Sequence, residues 1–266
     1  MPENGRTQEE PSIVVQEEII NITPRAGAAQ NPYLIPASIL IGAVIIGAFI
    51  LIGFSQGGAG NPAAAAGAAA AAQKVDIKDV NIAGDPYIGE ASAPVTLAYW
   101  SDYQCPFCKA FEVGGVEGIN GPAVMPTLIK NYVDKGKLKI VFKDFAFLSE
   151  DSDTAALWGR AMWDLYPGKY WQWREAMYHA QDEEHGGFGD EASILALTKK
   201  ISGVDASAVK VRVAAKKDVY KQAIDADKEE GQGFGIGGTP GFITGKTLIG
   251  GFAALSKFTD AIDAQL

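Results

Sequence analysis

Hydrophobic positions fall along this chain in three rhythms, and each predicts a different kind of element. The first is unbroken: Tyr33 to Phe54 carries no charge, and Leu34 to Gly53 is long enough to cross about 30 Å of hydrocarbon as a helix. It predicts a transmembrane helix over 33–54. The second rhythm consists of short, dense runs of β-branched and aromatic residues. Val95-Thr-Leu-Ala-Tyr-Trp100 follows Pro94, and Lys137 to Phe145 is flanked by lysines. Gly241 to Thr244 and Thr247 to Gly251 are separated by Gly245-Lys246. Runs of this length and composition predict strands, the last two joined as a hairpin. The third rhythm is helical and fills about 150–231, with breaks at Pro167-Gly168, Gly186-Gly187 and Gly203-Val-Asp205. Helical pattern also follows Cys108 and resumes at Met125, and a last helix covers about 253–265. A strand over 95–100, a helix and a strand over 138–144 make a βαβ unit, so these two strands are expected to be parallel. Periodicity alone therefore gives an α/β protein.

The segments flanking the apolar run differ in composition from the rest. Residues 1–32 hold five glutamates against Arg6 and Arg25 and no aromatic residue, which predicts a disordered acidic tail. Residues 55–73 are uncharged and dominated by alanine and glycine, the composition of a linker. A cleavable signal peptide has a short basic leader and an apolar core of about 7 to 15 residues, so the long acidic leader and long core favour an uncleaved anchor. Arg25 stands nearer the apolar run than Lys74 does, which favours a cytoplasmic N-terminus and an extracytoplasmic domain over 74–266. The chain's net charge is −9, and 74–266 is itself acidic, which argues against a nucleic-acid-binding surface.

Cys105 and Cys108 are the only cysteines, spaced C-x-x-C on the turn between the first predicted strand and its helix. Pro106 suits the first helical position, where its missing N–H removes no bond. A helix start offers free N–H donors and partial positive charge, which favours a thiolate at Cys105. Cys108 lies one turn further on, placed to resolve a mixed disulfide formed at Cys105. A zinc site would need nearby partners, and His179 and His185 lie about 70 residues away, so both histidines are expected at the surface. A structural disulfide between such close positions would remove little unfolded-state entropy. Four of the five tryptophans fall in the helical zone, where packing between helices is their expected use.

Four stretches in order carry a family resemblance: Gly84-Asp-Pro-Tyr-Ile-Gly-Glu-Ala-Ser-Ala-Pro-Val95, Ser101-Asp-Tyr-Gln-Cys-Pro-Phe-Cys108, Val141-Phe-Lys-Asp-Phe145 and Gly235-Ile-Gly-Gly-Thr-Pro-Gly-Phe-Ile243. The chain from about residue 85 onward resembles the DsbA-like thiol–disulfide oxidoreductases of the thioredoxin superfamily. The resemblance implies a thioredoxin-like fold over 74–266 with a helical domain inserted at about 150–231. It implies exchange of a disulfide with thiol-containing client proteins through Cys105 and Cys108, and reoxidation by a membrane oxidase of the DsbB or vitamin K epoxide reductase type. No cofactor or metal is implied. Thr239-Pro240 matches the substrate-binding cis-proline loop, while Pro106 and Phe107 match the positions that tune the redox potential. Phe107 lacks a positive charge, which suggests a potential of roughly −220 to −130 mV, less oxidising than DsbA. A reductase or isomerase, and a non-catalytic anchored module, are the rival readings.

Two departures accompany the resemblance. Tyr99 stands where DsbA-like proteins often carry an acidic residue, six positions before the first cysteine; Asp102 is nearby, and the sequence leaves open whether it substitutes. The glycine-rich run 113–122 is read as a tolerated kink in the helix in preference to a surface loop.

Overall fold

The computed structural model describes residues 74–183 and 186–266. The tail over 1–32, the span over 33–54 and the linker over 55–73 lie outside these residues. Among the described ones, no helix is long and apolar enough to cross a membrane.

Five strands form one sheet in the order β1-β3-β2-β4-β5. They are β1 (Tyr87–Ile88), β2 (Val95–Ser101), β3 (Leu138–Asp144), β4 (Gly241–Thr244) and β5 (Thr247–Gly250). β2 and β3 pair in parallel from Val95 against Leu138 to Ser101 against Asp144, as the βαβ reading requires, and the other pairings are antiparallel. β2 lies centrally and is covered on both faces, which explains its nearly continuous apolar sequence. Val95, Leu97 and Tyr99 face the larger core; Ala98 and Trp100 face a smaller one with Val75, Val80, Phe145, Ile236 and Ile243. The β4–β5 hairpin turns at Gly245-Lys246, where Gly245 has φ +54°.

The crossover from β2 to β3 contains α1 (Pro106–Glu112) and α2 (Met125–Leu128), the latter running into a wider helical turn over Ile129–Val133. Between α1 and α2 the chain is irregular, with Gly114, Gly115, Gly118 and Gly121 at positive φ. The run 113–122 is therefore a loop between two separate helices, not a kink in one. Four glycines in left-handed conformation leave no continuous α-path for the chain to follow.

Between β3 and β4 stand four helices: α3 (Glu150–Leu165), α4 (Tyr170–Ala180), α5 (Glu191–Thr198) and α6 (Ala206–Gly233). Asp190 and Asp205 cap α5 and α6 by accepting from the first-turn N–H groups of Ser193, and of Ser207 and Ala208. Trp158 and Trp173 are fully buried, so these tryptophans pack the insertion as expected. α6 approaches the sheet at Gly231, where a Cβ would come within 2.9 Å of the Trp100 ring; Trp100 Nε1 donates to Asp227 O at 2.8 Å on the same helix. The last helix, α7 (Leu255–Asp263), closes the larger core with Phe258 and Ile262.

Two buried cations fasten the insertion to the sheet. Lys143 of β3 bonds Asp85 at 2.7 Å and also pairs with Asp227 and Glu230 of α6. Arg160 of α3 donates to Asp85 at 2.8 Å and Asp144 at 2.6 Å, and reaches Asp227.

Candidate active site

β2 ends at Ser101, and the four residues before α1 form a tight connection in which Cys105 N donates to Asp102 O at 3.1 Å. Cys105 is the N-cap of α1, in extended conformation, and Pro106 is its first residue. The Asp102 side chain shapes the loop: it accepts from the backbone N–H groups of Gln104 at 2.8 Å, Phe147 at 3.0 Å and Leu148 at 3.4 Å. Burial raises its pKa against these bonds. It serves the backbone of two loops, which is what its position just past the strand end dictates.

Cys105 and Cys108 are free thiols with 4 % and 0 % of their surface exposed, whereas Phe107 between them is 48 % exposed. Thr239 and Pro240 lie opposite: the bond joining them is cis, and Cys105 Sγ donates to Thr239 O at 3.4 Å. The structure thus brings together all six residues singled out in the sequence. The two sulfurs differ sharply in acidity. A hydrogen bond from the Cys108 thiol is the largest influence on Cys105 and lowers its pKa to about 7. Desolvation opposes it, while the Thr239 side chain and the backbone N–H groups of Cys108 and Phe107 add to it. The helix start contributes as expected, but the neighbouring thiol contributes more. Cys108 moves the other way: burial, and then the Cys105 sulfur, push its pKa well up.

Beside Cys105 an apolar trough of about 420 Å³ is lined by Phe107, Ile236, Thr239, Leu248, Gly251 and Phe252. Gln181, at the end of α4, supports the opposite side by donating to Tyr103 O at 2.6 Å and Cys105 O at 3.2 Å. His179 is exposed, and His185 lies outside the described residues.

Beneath the cysteines lies a buried ion pair that sequence reasoning did not single out. Glu112, the last residue of α1, accepts from Arg174 of α4 through Oε1 at 2.8 and 2.6 Å. Arg174 also donates to Ser101 Oγ at 2.8 Å, and its guanidinium carbon sits 4.2 Å from the Phe142 ring centroid and 5.3 Å from that of Tyr99. The signal was present in the sequence. Tyr170, Arg174 and Tyr178 are spaced four apart, which puts a cation on the apolar face of an aromatic helix.

This architecture defines a class, the DsbA-like thioredoxin-fold oxidoreductases. The chain belongs to the thioredoxin family: the family model described as Thioredoxin matches residues 81–264. Disulfide bond formation protein D of Bacillus subtilis is 25 % identical over 186 residues, which cover 70 % of this chain and 79 % of that protein. The probable disulfide bond formation protein D of Bacillus cereus is 28 % identical over 181 residues, covering 67 % and 77 %. Among solved structures, oxidised BdbD from Bacillus subtilis superposes with a TM-score of 0.62 over 73 % of this chain and 97 % of its own; at 24 % identity this is a likeness of fold. The thiol-disulfide exchange protein alpha-DsbA2 of Wolbachia pipientis is 27 % identical, with a TM-score of 0.57 over 69 % of this chain and 88 % of its own.

Proposed function

We propose that this protein disulfide oxidoreductase donates disulfides to thiol-containing client proteins outside the cytoplasm, through Cys105-Pro106-Phe107-Cys108. The observation that carries the reading is geometric: Cys105 caps α1 with its Sγ 3.4 Å from Thr239 O, and Cys108 is sealed one turn behind it, and the acidities of the two sulfurs accord with that placement. A pKa of about 7 makes Cys105 both a thiolate near neutrality and a good leaving group, while Cys108 is held as a thiol. A client thiolate attacks Cys105 Sγ, the Cys105–Cys108 bond breaks, and its electron pair goes to Cys108, which takes up a proton. A second client thiolate then attacks the client sulfur of the mixed disulfide. Cys105 leaves as a thiolate, and the client gains one disulfide while the protein becomes the dithiol. A disulfide-bearing membrane oxidase, of the DsbB or vitamin K epoxide reductase type, restores the pair. The trough beside Phe107 accepts apolar client side chains, and the backbone at Thr239-Pro240 faces the attacked sulfur.

The redox potential tests the direction of exchange. A Cys105 pKa near 7 is closer to that of thioredoxin than to that of DsbA. The expected value therefore sits at the lower end of the range, near about −220 mV, still able to oxidise clients outside the cytoplasm. Equilibration with glutathione buffers measures it; a value below about −260 mV would make the protein a reductase and end the donor reading.

The same reading holds the domain outside the cell membrane by a helix over 33–54, supported by the charge-free run and by the distance to Lys74. In a chain with Cys105→Ser and Cys108→Ser, an added Ser55→Cys thiol is expected to react with a membrane-impermeant maleimide on intact cells. Reaction only after permeabilisation would refute this topology.

A further inference from the structure

The start of α1 stands between two hollows. Phe107 lines the apolar trough, while Pro106 and Lys109, one turn apart on the neighbouring helix face, line a second cleft of about 540 Å³ with Gln104, Val116, Glu117 and Asp182. Its size falls within that of ligand sites, about 300–1,000 Å³. One wall is the glycine-rich loop 113–122, which the exchange chemistry leaves without a use. The loop is built in place: Gly114 N donates to Lys109 O at 3.0 Å, Val124 N donates to Phe111 O at 3.0 Å, and Ile119 N donates to Val116 O at 3.2 Å within the loop. Gly121, near its end, stands against the Phe252 ring of the trough, where a Cβ would come within 3.6 Å. One loop therefore borders both hollows. The opposite wall, the end of α4 and the segment after it, is tied to the reacting turn. Gln181 Nε2 donates to Cys105 O, Lys109 Nζ donates to Gln181 O, Gln104 Nε2 donates to Phe188 O at 3.2 Å, and Phe188 N donates to Asp182 Oδ2 at 3.0 Å. A cleft fastened in this way to the Cys105 turn is preorganised for a chain joined to Cys105.

We propose that this cleft receives a basic side chain, lysine or arginine, from the flank of the client's cysteine that does not enter the trough, and that Glu117 of the loop selects it. The inference rests on the exchange reading above and names the clients that reading favours. A client whose sulfur is bonded to Cys105 Sγ carries its chain across the start of α1, with the trough on one side and the cleft on the other. The cleft's charge decides what suits its side. Lys109 is the cation of the lining, and its ammonium is already committed to Gln181 O, whereas Glu117, Asp182 and Glu183 bring three carboxylates. Among the described residues none of the three is in an ion pair, and the side chains of Glu117 and Glu183 accept no hydrogen bond. A client guanidinium or ammonium gains charge-assisted partners there, and an acidic residue at the same place meets like charge. The apolar trough holds one flank of the client and the loop cleft sorts the other.

The test measures kcat/KM of the oxidised full chain for reduced two-cysteine peptides that differ at one position. That position holds lysine or glutamate close to the attacking cysteine, on one side of it or on the other, and leucine occupies the opposite flank. At low salt, in one of the two orientations, the lysine peptide is expected to be oxidised about tenfold faster than its glutamate counterpart, and the ratio to shrink toward one in about 1 M salt. Glu117→Lys is expected to bring the low-salt ratio down to about twofold or less. The Glu117 side chain is exposed and unpaired among the described residues, so this change does not threaten folding. Asp79→Lys makes the same change of charge at the other end of the sheet, where neighbouring Ile77 N donates to Gly245 O of the β4–β5 turn, and is expected to keep the ratio. A ratio near one in the unaltered chain in both orientations would overturn the proposal. So would a ratio that Glu117→Lys leaves unchanged, or one that both variants lower alike, which would assign the preference to the charge of the whole chain. In each of these cases the peptides are still oxidised and the exchange reading stands. Failure of the unaltered chain to oxidise any peptide would overturn the exchange reading, and this inference with it.

Discussion

Replacing Cys105 by serine is expected to remove client oxidation altogether, lowering the rate of disulfide formation in a reduced test protein by about three orders of magnitude or more. Cys108→Ser gives a different failure. The protein still reacts once with a disulfide but stops there, as a stable mixed disulfide through Cys105, because the sulfur that would attack it is gone. Mass spectrometry of the two products distinguishes a nucleophile from a resolver, and equal behaviour of the two variants would refute the division of labour. The pH dependence adds a second signature. Alkylation of Cys105 in the reduced chain should rise to half its maximum near pH 7, with Cys108 unmodified throughout. The Cys108 thiol is the largest influence lowering the Cys105 pKa, so Cys108→Ala should move that midpoint up toward the ordinary thiol range. A midpoint unmoved by that change would mean that the backbone N–H groups of α1 dominate after all.

Much of this site was legible before any coordinates, because its parts are local. A C-x-x-C pair with proline at the first helical position fixes sulfur placement within one turn, and β2 and β3 are short runs whose composition admits few other readings. The Thr239-Pro240 loop is distant in sequence, by more than a hundred residues, and was reached by resemblance; only the fold sets it against Cys105. What the sequence hid was the identity of buried polar partners. Glu112 reads as an ordinary helical glutamate, and although the spacing of Tyr170, Arg174 and Tyr178 puts Arg174 on an apolar helix face, pairing across 62 residues leaves no periodic trace of its partner. The same holds for Asp102, whose partners Phe147 and Leu148 come from the far side of β3. The run 113–122 reads in sequence as a kink in one helix for a local reason, since four glycines also suit a bend, whereas their positive φ ends the helix.

The largest effect on stability is expected from Arg160→Met. Asp85, Asp144 and Asp227 converge on this guanidinium, and Lys143 pairs with two of the three. Removing one partner from a buried ionic cluster leaves its charges uncompensated and costs about 3–5 kcal/mol. For a domain of this size that is a fall in melting temperature of roughly 10 °C. The loss should depend on pH in a particular direction. Burial raises the Asp227 pKa to about 7, with Arg160 opposing the rise and Asp85 and Asp144 adding to it. A carboxyl group whose pKa is raised by folding favours the fold fully below its unfolded value near 4, and this contribution fades as pH rises through about 7. Without Arg160 the opposing charge is gone and the Asp227 pKa rises further, so the ionised cluster is penalised over a wider range. Arg160→Met should therefore lose more stability relative to the unaltered chain at about pH 8 than at pH 5. Urea denaturation of both chains at the two pH values measures the difference. A deficit that is equal at both, or larger in acid, would show that Arg160 acts through packing of α3 against the sheet and not through the carboxylates it faces.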